Sequence, residues 1–284
     1  MSVQLTRSSQ PRRKRPAGKV WLFAVPGMTL FAVFWLLPML RLVGVGASGP
    51  TGAMAYLAVL TNRHYLWSLV ATLLLSAVVT VATLAISSSV GLFLQRNRFP
   101  GKSLLMAMLT FPLAFPGVVV GFMVIMLAGR QGLIGALTDK LFGEPLVFAY
   151  SLAGLFIGYL YFSIPRVILT VMAAAEKLDP ALEEAARSLG ANPLRVFFDV
   201  VAPALTPALI SSGAICFATS IGAFGTAFTL ATNIDVLPMA IYNEFTSYAN
   251  FAMAAALSIV LGLITWIALA LARSLSGSSV PATA

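Results

Sequence analysis

The sequence predicts an all-α integral membrane protein with six transmembrane helices. Both termini are expected in the cytoplasm, with one helical cytoplasmic loop between spans 4 and 5. Three observations carry this prediction. The 284 residues are 59% hydrophobic and only 10% charged, where a soluble domain carries about 25% charge, and mean hydropathy is +0.93. Charge-free runs of membrane-spanning length recur along the chain. Lys and Arg gather on alternate sides of those runs.

The spans are read in order from these runs. Val20–Leu40 lies between Lys19 and Arg41; Tyr65–Leu94 follows; Ser103–Gly129 lies between Lys102 and Arg130. A fourth begins after Glu144 and passes Arg166 before Glu176, a fifth lies within Val200–Ile234, and a sixth is Phe245–Ala272. A helix needs about 20 residues to cross roughly 30 Å of hydrocarbon, and the runs are continuous rather than alternating as barrel strands would be. The first run is 21 residues long and holds Trp21, Phe34 and Trp35. A signal-peptide core is shorter, about 7–15 residues, so this reads as an uncleaved span.

With the N-terminus inside, 14 of the 18 Lys and Arg residues fall on the inner side, Arg166 counted among them. Arg41, Arg63, Arg130 and Lys140 are left outside, and this asymmetry sets the orientation. Residues 1–19 read as a basic, disordered cytoplasmic arm, 20–273 as one membrane domain and 274–284 as a disordered tail. The outer segment 41–64 is glycine-rich and reads as a loop, and GLIGALTDKLF within 130–146 reads as a short interfacial helix.

Several functions are excluded or disfavoured. The net charge of +9 sits at span borders, with no polar domain to present a nucleic-acid-binding face. The fragment GKS at Gly101–Ser103 lacks the earlier glycine of a phosphate-binding loop, since Arg96 stands there. His64 and Cys216 are each alone of their kind, so no metal or disulfide framework is expected. No charged residue lies mid-span in spans 1, 2, 3, 5 or 6, which counts against a proton-coupled carrier. Pro112 and Pro116 should bend or break the third span, and freed carbonyls at that depth are tolerated only against protein or a water-lined path. Pro112, Pro116 and Phe224 are therefore candidates for a translocation path. Gly117 with Gly121, and Gly154 with Gly158, read as close helix packing.

The stretch LDPALEEAARSLGANPLRVFFDVVAPAL interrupts this apolar chain. Asp179 and Pro180 suit the start of a helix, and Glu183 and Glu184 fall early, where the dipole favours acids. Leu182, Ala185, Ala186 and Leu189 share one apolar face at i, i+3, i+4, i+7. Gly190 supplies the stop. Asn192 and Pro193 start a second helix with Leu194, Phe197, Phe198 and Val201 on one face, and Pro203 is expected to close it.

EAARSLG at Glu184–Gly190, followed nine residues later by VVAP at Val200–Pro203, resembles the EAA loop of binding-protein-dependent ABC importer permeases. That pattern reads E-A-A-x-x-x-G, nine residues, then I-x-L-P. Val200 replaces Ile and Ala202 replaces Leu. FPGKSLLMAMLTFPLAFPGVVVG and GRQGLIG are similar to the corresponding region of permeases for polyamines, ferric iron, sulfate or molybdate, and phosphonates. IGAFG at Ile221–Gly225 has Ala223 where an acid is frequent. The likeness covers roughly residues 60–275.

The resemblance implies a non-catalytic permease subunit in a bacterial inner membrane, with a coupling helix that docks on a cytoplasmic ATPase. Leu182, Ala185, Ala186 and Leu189 would form the docking surface, Glu183, Glu184 and Arg187 would meet charges on the partner, and Gly190 and Pro203 would shape the lever. No cofactor is expected on this chain; ATP and Mg would sit on the partner. The implied partners are two ATPase subunits, a second permease subunit expected to be a different chain, a periplasmic solute-binding protein and membrane lipid. A stand-alone secondary carrier is the alternative. The outer acids Asp139, Glu144, Asp235 and Glu244, with Tyr242, Phe245 and Tyr248, favour a polyamine as solute, with phosphonate, ferric iron or another small polar solute as alternatives.

Overall fold

The computed structural model describes residues 17–50, 52–230 and 234–276, and every regular element among them is helical. Residues 1–16 of the expected arm and 277–284 of the expected tail lie outside the described residues. Residues 17–19 belong to the first helix and 274–276 to the last, so both membrane helices reach further than the charge boundaries indicate.

The first helix, α1 (17–46), runs past Arg41. It contains a π-helical turn, Ala32–Leu36, directly before Leu37 and Pro38. A second π-helical turn, Phe197–Val201, precedes Ala202 and Pro203. In each case the widened turn makes room for a proline that has no N–H to donate. Pro203 consequently does not close its helix, contrary to the sequence expectation: 193–221 continues as one element. The outer segment 41–64 is also more ordered than a loop, with α2 (Ala55–Thr61) burying Ala55 and Val59 one turn apart.

Next come α3 (Arg63–Arg96) and α4 (Lys102–Thr110), the latter ending in a 3₁₀ turn at Phe111–Ala114. The expected break follows. Phe115 and Pro116 are extended, and α5 (Gly117–Ala128) starts anew, because a residue before proline is pushed out of the helical region. After α6 (Leu133–Phe142), the foreseen short helix, α7 (Leu152–Ala175) crosses with Pro165 inside it. Then come α8 (Pro180–Ser188), α9 (Pro193–Ile221), α10 (Phe224–Leu230), α11 (Leu237–Thr246) and α12 (Phe251–Ser276).

Six helical stretches are long and apolar enough to cross a membrane: Ala24–Gly46, Arg63–Arg96, Gly117–Phe142, Leu152–Ala175, Pro193–Ile221 and Phe251–Leu275. The count matches the sequence reading, and several boundaries do not. The third stretch starts at Gly117, after the proline break. The fifth ends at Ile221, where Gly222 and Ala223 leave the helix and α10 begins. The sixth starts at Phe251, after the separate helix α11.

The bundle is organised around α3, which packs most extensively on α7 and also on α9. Its buried stripe is Ser68, Thr72, Ser76, Val79, Thr83, Ser87 and Gly91. Small and hydroxylated residues suit a setting where lipid removes the hydrophobic drive between helices and close packing must replace it. At the centre, Val124, Leu155, Tyr159, Cys216 and Leu230 share one cluster. The short helix α10 is seated against α5 and α7. A Cβ on Gly121 would overlap Thr229, and one on Gly158 would come within 2.7 Å of Thr226. Gly117, Gly121 and Gly158 therefore serve close helix packing, as expected, whereas Gly154 makes room for the carbonyls of Phe148 and Ala149 in the preceding turn. By contrast, the span Ala24–Gly46 within α1 buries Gly46 alone.

Candidate functional site

The charged loop between α7 and α9 folds as a capped helix–glycine–helix unit. Asp179 Oδ1 accepts from the Ala181 N–H at 3.0 Å, and Asn192 Oδ1 accepts from the Arg195 N–H at 2.8 Å. Gly190 adopts φ +85°. Its N–H donates to Arg187 O at 2.9 Å, and the Ala191 N–H donates to Ala186 O at 3.1 Å. This is the paired-bond helix stop that favours glycine at that position. Leu182 is 55% exposed and Leu189 89% exposed, and Ala185 shares that open face while Ala186 is half-buried. On the second helix Leu194 and Phe198 are exposed. Hydrophobic side chains held outward by a rigid, capped turn need a cover.

The charges of α8 divide differently from the sequence expectation. Glu183 turns inward: its carboxylate pairs with Arg96 at the end of α3 and lies 3.7 Å from Arg187. Its side chain is only 17% exposed. Glu184 alone of the acidic pair faces outward. Glu183 and Arg187 are thus engaged within the chain, and Arg96, outside the set of predicted residues, is a tether for this loop.

Within the membrane part, a cleft of about 300 Å³ is lined by Pro112, Phe115, Phe162, Arg166, Gly222 and Phe224, among others. Pro116 is the N-cap of α5 beside it. The two predicted residues Pro112 and Phe224 therefore meet at one cavity, with Pro116 adjoining. The breaks in α4–α5 and α9–α10 create it, because backbone that leaves the helix needs a protein or water boundary. Thr226 Oγ1 donates to Gly117 O at 3.0 Å, and the Tyr159 hydroxyl donates to Ala223 O at 3.1 Å, so both breaks are held by side chains. Arg166 lies inside α7, not at the inner border where the charge count puts it. Its signal in the sequence is its position within the fourth apolar run.

Phe224 also lines a second, apolar hollow of about 500 Å³ with Leu42, Tyr242, Phe245 and Phe251. Phe224, Phe228 and Tyr242 form a ring cluster with centroids 5.3 to 5.4 Å apart. At the same end of the bundle, the Tyr65 hydroxyl donates to Glu244 Oε1 at 2.6 Å, and Glu244 is 7% exposed. His64 Nδ1 stands 3.9 Å from Asp235. No group of three or more potential metal ligands occurs among the described residues.

Comparison with known proteins fits this architecture. The chain is 36% identical over 195 residues to the molybdenum transport system permease protein ModB of Escherichia coli (strain K12), covering 66% of this chain and 84% of that protein. It is 30% identical over 273 residues to a putative 2-aminoethylphosphonate transport system permease protein PhnU of Salmonella typhi, covering 88% of this chain and 94% of that protein. In fold it resembles a chain from a crystal structure of a bacterial alginate ABC transporter in complex with alginate pentasaccharide-bound periplasmic protein. That match has a TM-score of 0.79 at 16% identity, covering 91% and 94% of the two chains. Residues 83–278, which hold the capped loop and the broken-helix cleft, match the family of binding-protein-dependent transport system inner membrane components, and the chain belongs to that family.

Proposed function

We propose that this chain is one half of the translocation path of an ATP-driven importer in a bacterial inner membrane, with both termini cytoplasmic. The observation that carries the reading is the capped unit Asp179–Pro203, whose exposed Leu182 and Leu189 face needs a protein cover. Family membership supports an ATPase as that cover. ATP and Mg belong to the ATPase; this chain contributes the docked helix and the cavity. Two ATPase subunits, a second permease subunit of a different chain and a periplasmic solute-binding protein complete the machine.

Motion at α8 reaches the membrane by two routes: through 176–179 into α7, and through the continuous helix 193–221 into the cleft. Closure of the ATPase pair would swing both, opening the path outward to receive solute from the binding protein. Hydrolysis would reset it. Pro112, Pro116 and Phe224 line or adjoin the cleft that such motion would open and close.

A polyamine is no longer the favoured solute. Glu244 is buried and accepts from the Tyr65 hydroxyl, so one of the acids that favour a cation is otherwise engaged. The relatives' names point instead to small oxyanions. Co-expressed with its ATPase, partner permease and binding protein, the chain should carry the ATPase through purification. In vesicles the complex should take up labelled molybdate or 2-aminoethylphosphonate only with internal ATP. Uptake driven by an ion gradient without the ATPase would establish a secondary carrier instead.

A further inference from the structure

Arg166 is the charged residue lining the membrane cleft. It lies fourteen residues beyond Leu152 and nine before Ala175 in α7, so about 20 Å and about 14 Å from the two helix ends at 1.5 Å per residue. That places its Cα well between the two ends of a helix long enough to cross a hydrocarbon layer of roughly 30 Å. It makes no ion pair among the described residues, and no carboxylate lines the cleft. Phe115, Phe162 and Phe224 supply apolar walls. A fixed cation at this depth is costly unless it faces water, a counter-charge or a pathway.

We propose that Arg166 binds the oxyanion group of the transported solute within the membrane, an inference that rests on the importer reading above. The guanidinium presents a planar fork that meets two oxygens of a phosphonate- or molybdate-like group at once. The cleft, about 300 Å³, is several times the roughly 30 Å³ taken by a water molecule, which leaves room for such a group with part of its hydration. One cation without further fixed charge makes a site that is occupied and then left, as conduction requires. The same chemistry would hold a phospholipid headgroup phosphate, and the test separates the two sources.

The complete complex, with its ATPase, partner permease and binding protein, is reconstituted in vesicles of phosphatidylethanolamine and phosphatidylglycerol. ATP-dependent uptake of labelled molybdate, sulfate and 2-aminoethylphosphonate is measured for wild type, Arg166→Gln and Arg166→Lys. Arg166→Gln should lower uptake of the transported oxyanion about tenfold or more, while ATPase co-purification stays at the wild-type level. Arg166→Lys, which keeps the charge but loses the fork, should fall between the two with a raised KM. Wild-type uptake of an oxyanion with undiminished uptake by both variants overturns the contact and leaves the importer reading standing. Unchanged uptake with a melting point that depends on phosphatidylglycerol only when Arg166 is present assigns the residue to lipid, and also overturns it. A wild-type complex that takes up none of these anions, yet hydrolyses ATP in response to its loaded binding protein, overturns the oxyanion contact and leaves the importer reading standing.

Discussion

Glu183 and Glu184 are neighbours in sequence and opposites in the fold. Helical geometry sets adjacent residues about 100° apart, so one carboxylate meets Arg96 while the other faces out. The Arg96–Glu183 pair is partly exposed, and pairs of that kind contribute about 0.2–1 kcal/mol. A double-mutant cycle with Arg96→Ala and Glu183→Ala, read by thermal stability of the purified chain, should show coupling within that range. Additive losses would mean that the tether contributes nothing. The direction of Glu183 was not legible in sequence, because its partner lies 87 residues away. Arg166 was misplaced for a related reason: a count of charges between spans has no depth coordinate.

At the scale of elements, caps and stops were read correctly from local chemistry. Asp179, Asn192 and Gly190 act within a few residues of themselves, so sequence carries the whole cause. Gly190→Leu would force a branched side chain into the left-handed region at a cost of about 1–2 kcal/mol. The expected outcome is normal membrane insertion with impaired ATPase co-purification or solute-stimulated hydrolysis, measured on the reconstituted complex. Stimulated hydrolysis at the wild-type level would remove Gly190 from the lever. Pro203 shows the limit of such reading. A proline predicts a missing hydrogen bond, but the π-helical turn at Phe197–Val201 absorbs it and the helix continues. The same local logic located the break at Phe115–Pro116, where the residue before proline is extended and a new helix starts at Gly117.

For the whole molecule, orientation is the prediction of greatest reach. Leu189 and Leu141 are both exposed. They belong to segments joined to opposite ends of α7, about 36 Å long at 1.5 Å per residue. Cys216, the single native cysteine, is buried. Leu189→Cys should therefore label from the cytoplasmic side with a membrane-impermeant maleimide, and Leu141→Cys from the opposite side. The reverse pattern would invert the molecule and displace the coupling role from α8.

The sequence by itself determined the six-span helical class, the capped loop and its glycine stop, and the proline break. Each follows from composition or from interactions spanning a few residues. The tertiary structure alone decided that Glu183 turns inward, that Pro112 and Phe224 share a cleft with Pro116 beside it, and that Arg166 enters this cleft rather than bordering the membrane. Those facts depend on helices from distant parts of the chain coming together. Close packing of small residues such as Gly121 and Gly158 on α10 brings them there, and no local pattern in the chain specifies which helix will fill that space.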